Sequence, residues 1–220
     1  KVGTYTESIG LGSTIANGGG SWGTATVVKG AVGETVTLQP GSGRVVDITG
    51  TPTRSWIIFE NLILNGTGTG NEINKFADAS NHIRFKDMEI TTGPGHGIIT
   101  AIDAAEFINV NVHDYGSATT GSVRHAIYQQ GNNTLVEDCQ LHDHLKGLGV
   151  GGGYGIHQFS VIGPGSGNVF RRNRIWNNGS GILISGPSTG TIAHSNVLFY
   201  SADIVVGSSG ATTNSNVYNN

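Results

Sequence analysis

The feature that most constrains this chain is one short segment written six times. "FENLILNG" begins at Phe59, "FKDMEITT" at Phe85, "FINVNVHD" at Phe107, "VEDCQLHD" at Val136, "FRRNRIWN" at Phe170 and "IAHSNVLF" at Ile192. A partial copy, "SNVYNN", begins at Ser215. Most copies alternate apolar and polar residues, the period of a strand with one buried face. A second register follows the later copies: "HGIIT" from His96, "HAIYQ" from His125, "YGIHQ" from Tyr154, "SGILI" from Ser180 and "ADIVV" from Ala202. Three buried columns are expected. One holds Ile98, Ile127, Ile156, Ile182 and Ile204; a second holds Phe59, Phe85, Phe107, Val136, Phe170 and Ile192; a third holds Leu64, Ile90, Val112, Leu141, Ile175, Val197 and Val217.

The shortest interval, Phe85 to Phe107, is 22 residues, and the longest, Val136 to Phe170, is 34. Short strands at such intervals, with Gly- and Asn-rich corners, predict an all-β parallel solenoid of about 22 residues per minimal coil. A helical repeat is disfavoured, because β-branched residues and 36 glycines interrupt any stripe of helical period. With 36% hydrophobic residues, no single coil can bury a core, but stacked coils share one. The whole chain, 1–220, is expected to be one such domain, truncated at one or both ends, with flanking residues or a partner covering the open strand edges. A net charge of −3 and the absence of basic runs give no footprint for nucleic acid. No apolar run approaches the ~20 residues of a membrane span. The lone cysteine, Cys139, can form no intrachain disulfide and is expected in the core.

The segment "NVFRRNRIWNNGSGILISG", Asn168 to Gly186, with "HAIY" and "YGIH", resembles the right-handed parallel β-helix family, the pectate-lyase-like group. "GTYTESI", "VTLQPGSGRVVDITG" and "WIIFENLILNG" look like the opening coils of its secreted members. The resemblance covers nearly the whole chain. It implies a single-stranded right-handed β-helix, secreted or at the cell surface, with a polysaccharide as partner. It leaves the reaction open, because lyases, hydrolases, epimerases, tail fibres and adhesins share this architecture. The capping element common at the N-terminus of the group is not evident here.

Stacking turns sequence echoes into neighbours, since adjacent coils lie ~4.8 Å apart. "NVHDY" and "QLHDH" align His113 with His142 and Asp114 with Asp143, and these with His144 are expected at a substrate-binding rim. From the histidine column to the next strand there are 5 residues in the coil of Thr91 and 12 in each of the next two. These matched insertions, Tyr115 to Arg124 and His144 to Gly153, predict a wall beside the sheet, a favoured place for function. The flanking side chains are reactive types: Arg124, His125 and Tyr128 in one coil, Lys146, Tyr154 and His157 in the next. His125 and Tyr128 are three apart, so a regular strand sets them on opposite faces. They meet only if the strand begins with a bend; otherwise His125 is a buried core residue.

Three chemistries fit these residues. β-Elimination or epimerisation of a uronic-acid-containing glycan needs a carboxylate neutraliser, a base and an acid. Arg124 or Lys146 could supply the first, His125 or His157 the second, and Tyr128 or Tyr154 the third. Glycoside hydrolysis would rest on Asp114 and Asp143, whose ~4.8 Å column spacing is near the retaining distance. "GPGHGI", Gly93 to Ile98, is similar to an element of β-helical polygalacturonases, but the Asp-rich segments that accompany it there are missing. For metals, His113, His142, His144, Asp114 and Asp143 offer N and O ligands, and calcium (Ca2+) could use Asp138 and Asp143, although no spacing selects a site. A non-catalytic glycan-binding or structural solenoid, adhesin-like or tail-fibre-like, accounts for the composition, but not for reactive side chains gathered in the two coils with matched insertions.

Overall fold

The computed structural model describes residues 2–10, 15–50, 52–70, 72–77, 79–116, 123–145, 153–160, 165–200, 203–207 and 212–220. All its strand pairs are parallel, and each strand pairs with its counterparts in the coils before and after it, in sheets of 14, 7 and 3 strands. The pairing carries Phe59 onto Phe85, Phe107, Val136, Phe170, Ala193 and Val217 in turn. The structure is therefore a β-solenoid of about six turns, about 26 residues apart.

Each coil turns at residues held in the left-handed region. One corner column is Asn61, Asp87, Asn109, Asp138, Arg172, Ser195 and Asn219; a second is Thr92, Asp114, Asp143, Asn177 and Tyr200; a third is Trp56, His82, Ala104, Asn133, Gly167, Gly190 and Asn214. Among the described residues, ten of the seventeen non-glycine residues with positive φ are Asn or Asp, whose short polar side chains tolerate this conformation best. The first column lets the strands Asn81–Gly93 and Glu106–Tyr115 run through the corner unbroken, so the 14-stranded sheet covers both sides of it.

Inside, side chains stack on their own kind. Phe59, Phe85 and Phe107 are fully buried with ring centroids 5.2 and 6.1 Å apart, and Phe76 packs on Phe85 at 5.1 Å. Burying a large apolar side chain contributes about 1.5–3 kcal/mol. Behind the first corner, Leu62, Met88, Val110 and Cys139 give way to an asparagine ladder. Asn173 Oδ1 accepts the Cys139 N–H (3.0 Å), and Asn196 Oδ1 accepts both the main-chain N–H and the Nδ2–H of Asn173 (3.1 and 2.9 Å). Asn220 repeats the pattern on Asn196. Cys139 is a buried core thiol, pushed up to about 12 by burial.

Register corrects several sequence alignments. Ala193, not Ile192, continues the phenylalanine column, and Val217 falls in that column rather than in Leu64's. Leu198, not Val197, sits on Ile175. The ladder continues through Asn196. Gln129 and Gln158 are buried and stacked in register, and each bonds elsewhere: Gln129 serves Gly131 and Asn168, while Gln158 serves Gly165 and Thr191.

Candidate functional site

The outward column of the seven-stranded sheet reads Asp47, Lys75, Ile99, Tyr128, His157, Leu183 and Val205. Its first rungs are charged: Arg44 is salt-bridged to Asp47 (2.8 Å) and Glu72 (2.9 Å). In the middle rungs aromatic and imidazole rings replace the charges. His96, His125 and Tyr154 join this side because each strand begins with the bend that regular alternation lacks. A small residue precedes the inward isoleucine, in "HGI", "HAI", "YGI" and "SGI". At Gly97 an added Cβ would stand 2.5 Å from Val112 Cγ1, and at Gly155 2.5 Å from Ile175 Cγ2. With the backbone pressed inward there, two consecutive residues face the core, and the preceding side chain swings onto the Tyr128 side. His125 is only 4% exposed, but its ring packs on Tyr128, Tyr154 and His157 at 5.3, 5.4 and 4.5 Å. It is buried, although not as a core residue.

The hydrogen bonds fix every tautomer. His125 Nδ1 accepts the Tyr154 main-chain N–H (3.0 Å), so neutral His125 carries its proton on Nε2. That proton is donated to His157 Nδ1 (2.9 Å), which leaves the His157 proton on Nε2, donated to Ser185 Oγ (3.0 Å). The Ser185 hydroxyl donates onward to the Gln158 carbonyl (3.2 Å). His96 Nδ1 accepts the His125 main-chain N–H (2.9 Å), so its proton is also on Nε2. Burial, and then the mutual influence of neighbouring charges, keeps these rings neutral. It holds His96 down to about 3 with help from Arg124, His157 and His144; it holds His157 down to about 4, and His125 well below its ordinary 6.5.

This wiring bears on the roles expected of His125 and His157. Both nitrogens of each ring are engaged, and neither ring has a lone pair left to take a substrate proton. It also excludes Ser185 as a histidine-activated nucleophile, since His157 presents it with N–H rather than a lone pair, and the serine is 1% exposed. Polar groups on this face without a protein partner among the described residues include the hydroxyls of half-buried Tyr128 and Tyr154. Tyr128 is held between the rings of His96 (5.4 Å, 22°) and His157 (5.0 Å, 24°). Arg124 lies close enough for its charge to act on His96 and His125, and its buried Nε has no acceptor. Lys146 lies outside the described residues.

The "HD" pairs occupy a different sheet. His113 and His142 face outward from the 14-stranded sheet, stacked at 5.2 Å and 8°. Each ring bonds the carboxylate that follows it, Asp114 or Asp143, at 2.8 Å. Both aspartates are left-handed corner residues, and Asp143 also accepts Asn177 Nδ2 (2.7 Å). His113 is further tied to Glu89 (3.2 Å) and His142 to Asn111 (2.9 Å). The ring stack continues through Trp176 (3.9 Å, 8°) to Phe199 (5.3 Å, 7°), where this column ends. Because neighbours cover both faces of Trp176, it offers a sugar only an edge. His144, expected at the rim, is 3% exposed and packs edge-on against Tyr115 (5.0 Å), beneath Gly116 and Gly153. That burial corrects its expected role in contacting substrate.

Among the described residues no three His, Cys, Asp or Glu side chains converge to hold a metal. Asp138, one of the two carboxylates available to calcium, is bonded to Arg172 (2.9 and 3.0 Å) and stands in a different corner column from Asp143. Sequence inspection missed a groove of about 360 Å³ along the first corner, lined by residues including Glu34, Asn61, Asp87 and Glu89, well away from the tyrosines.

No protein-family model matches the chain, and no curated protein does. Among solved structures it is similar to pectate lyase Pel9A, with a TM-score of 0.59 and 14% identity over 98% of this chain and 68% of that one. The chain has the right-handed parallel β-helix fold. It is also similar to ORF18 of Geobacillus virus E2, at 11% identity and TM-score 0.44, over 98% of this chain and 53% of that one. A third likeness is to tailspike protein gp49 of Acinetobacter baumannii bacteriophage Fri1, a capsular polysaccharide depolymerase, at 12% identity and TM-score 0.42, over 94% of this chain and 42% of that one. In this β-helix the tyrosine–histidine face lies on the seven-stranded sheet, directly after the corner that carries both insertions.

Proposed function

We propose that this β-helix is an enzyme acting on a uronic-acid-containing polysaccharide, by β-elimination or by the epimerisation that shares its first step. The observation that carries this reading is an arginine whose charge reaches His96 and His125 and which has no carboxylate partner among the described residues, together with two tyrosine hydroxyls unpartnered among those residues, on a base of neutral histidines. Abstraction of the proton α to a carboxylate builds negative charge on that carboxylate, and a fixed guanidinium offsets it. Arg124 takes this part, with Lys146 a second cation from the adjoining insertion. One tyrosine, as phenolate, takes the α-proton and the other gives a proton to the leaving glycosidic oxygen; the C–O bond breaks as the C=C bond forms. In epimerisation the second tyrosine instead returns a proton to the opposite face of the same carbon. His125 and His157 position the tyrosines, because their lone pairs are already committed.

The fold of Pel9A, whose name describes a pectate lyase, accords with this reading. A polysaccharide substrate would make this a secreted or cell-surface protein, with His113, His142 and their aspartates outside the reacting centre. Hydrolysis by Asp114 and Asp143 is less favoured, because each carboxylate is already bonded to the preceding histidine and shapes its corner.

The test is incubation with polygalacturonate, alginate and glycosaminoglycans, read by the ultraviolet band of the unsaturated product and by the isomer composition of the polymer. Growth of that band, or a change of isomer, that is lost in Tyr128→Phe or Tyr154→Phe supports the proposal. Reducing ends without the band would indicate a hydrolase. Binding without any turnover would indicate a glycan-binding module. Either outcome removes the assignment.

A further inference from the structure

We infer that His96 is a substrate-binding residue, whose Nε2–H, together with the Arg124 guanidinium, forms a pocket for the substrate carboxylate. The inference rests on the proposed function and names the group that selects the sugar. His96 is 5% exposed, and its Nδ1 is held by the His125 main-chain N–H at 2.9 Å. Its only other polar group is Nε2–H, which has no protein acceptor among the described residues. The ring cannot turn to use the other nitrogen, because that would break the bond to His125 and the stack on Tyr128. Arg124 Nε is a second buried donor without an acceptor. His96 Nε2–H therefore stands against the Tyr128 ring with no protein acceptor, and Arg124, whose charge reaches His96, holds a buried donor that lacks one, an unmade hydrogen bond that is costly.

No carboxylate among the described residues fills the gap. No described carboxylate is hydrogen-bonded or ion-paired to His96, His125 or Arg124, and the largest charges acting on the two rings are those of Arg124 and other histidines. The insertions themselves contain no acid: residues 117–122 read "SATTGS" and residues 146–152 read "KGLGVGG". A side rich in donors and free of protein anions suits a ligand that brings its own negative oxygens, and the carboxylate of a uronic acid has the right charge and two acceptors. A neutral imidazole donor also suits the proposed reaction. It can strengthen its bond as charge grows on the carboxylate, yet it cannot release its proton to the enolate as an imidazolium could. A neutral hexose offers only hydroxyls, so this pair of donors would separate acidic from neutral sugars.

The test starts from the intact protein labelled with 15N at histidine. At neutral pH the His96 Nε2 resonance should be of the protonated type and Nδ1 of the unprotonated type. Acetate or galacturonate at tens of millimolar should shift the Nε2 signal, while galactose should not. In His96→Phe, which keeps a ring against Tyr128, binding of oligouronates should weaken about 10- to 100-fold, the effect of one charge-assisted hydrogen bond. His96→Asn should recover part of it through its amide donor. An unprotonated Nε2, a signal that acetate leaves unmoved, or equal uronate affinity in wild type and His96→Phe would overturn the inference. If acetate moves His96 but no uronate polymer is turned over, the carboxylate pocket stands and the proposed reaction falls.

Discussion

The neutral histidine cluster makes the fold sensitive to acid, and the size of the effect follows from the site. In the unfolded chain each histidine takes up a proton near its ordinary 6.5, whereas folded His96 and His157 wait until about 3 and about 4. A folded value held below the unfolded one contributes stability that is whole above about 6.5 and is lost as pH falls toward the folded value. At pH ~5 the unfolded chain gains RT ln(1 + 10^1.5), about 2 kcal/mol, for each such group relative to a folded state that is still unprotonated. His96 and His157 together therefore remove about 4 kcal/mol between pH ~7.5 and ~5, and His125 adds to this in the same direction. Against a typical domain stability of ~5–15 kcal/mol the loss is large. The figure depends little on coupling among the three rings, because over this range the uptake belongs to the unfolded chain.

The assay is urea unfolding followed by tryptophan fluorescence at both pH values, on wild type and on His96→Phe/His157→Gln. The double variant will be less stable at neutral pH, where its broken network acts at full strength. Its change between the two pH values should be smaller than that of wild type by about 4 kcal/mol, since titration of the carboxylates is common to both proteins and cancels. An equal pH dependence in the two proteins, or a wild-type loss below ~1 kcal/mol, would refute the reasoning.

Other outcomes follow from the same geometry. Tyr128→Phe and Tyr154→Phe should each lower turnover about 10²- to 10⁴-fold, the range for acid–base groups, with unchanged circular dichroism. Asn173→Ala leaves the Cys139 N–H and the Val136 carbonyl without their side-chain partner, and should cost about 1–3 kcal/mol in the midpoint of chemical unfolding. Cys139 should resist alkylation in the native protein and react at the ordinary thiol rate once urea unfolds the chain.

The sequence made the coils legible because a buried phenylalanine or isoleucine recurs at each one. It misled where the inward position is small. Ala193 lies inside and Ile192 is half-exposed, so hydrophobicity alone slides the copy by one residue, and likewise sets Val197 on Ile175 in place of Leu198. The asparagines at the corners were the better guide to register, since left-handed geometry restricts residue type more than burial does. At the site, alternation alone could not join His125 to Tyr128, but the Gly or Ala before each isoleucine was visible and marks the bend. What no sequence pattern carried was the direction of the hydrogen bonds. It depends on main-chain amides at His125 and Tyr154, and it moves the histidines from reagents to supports.

The corner columns have a consequence for how such a molecule can change. Successive coils differ in length from 22 to 34 residues, yet every phenylalanine-column and isoleucine-column residue stays in register across them. The added residues fall between strands, most of them between the histidine column and the seven-stranded sheet and five more after Ile156, so the paired strands above and below keep their register. A scaffold of this kind separates inheritance of the spine from inheritance of the loops. Replacing the two insertions by those of another β-helix should yield a new specificity on an old stack, with the ladder of Phe, Ile and Asn beneath it carried over intact.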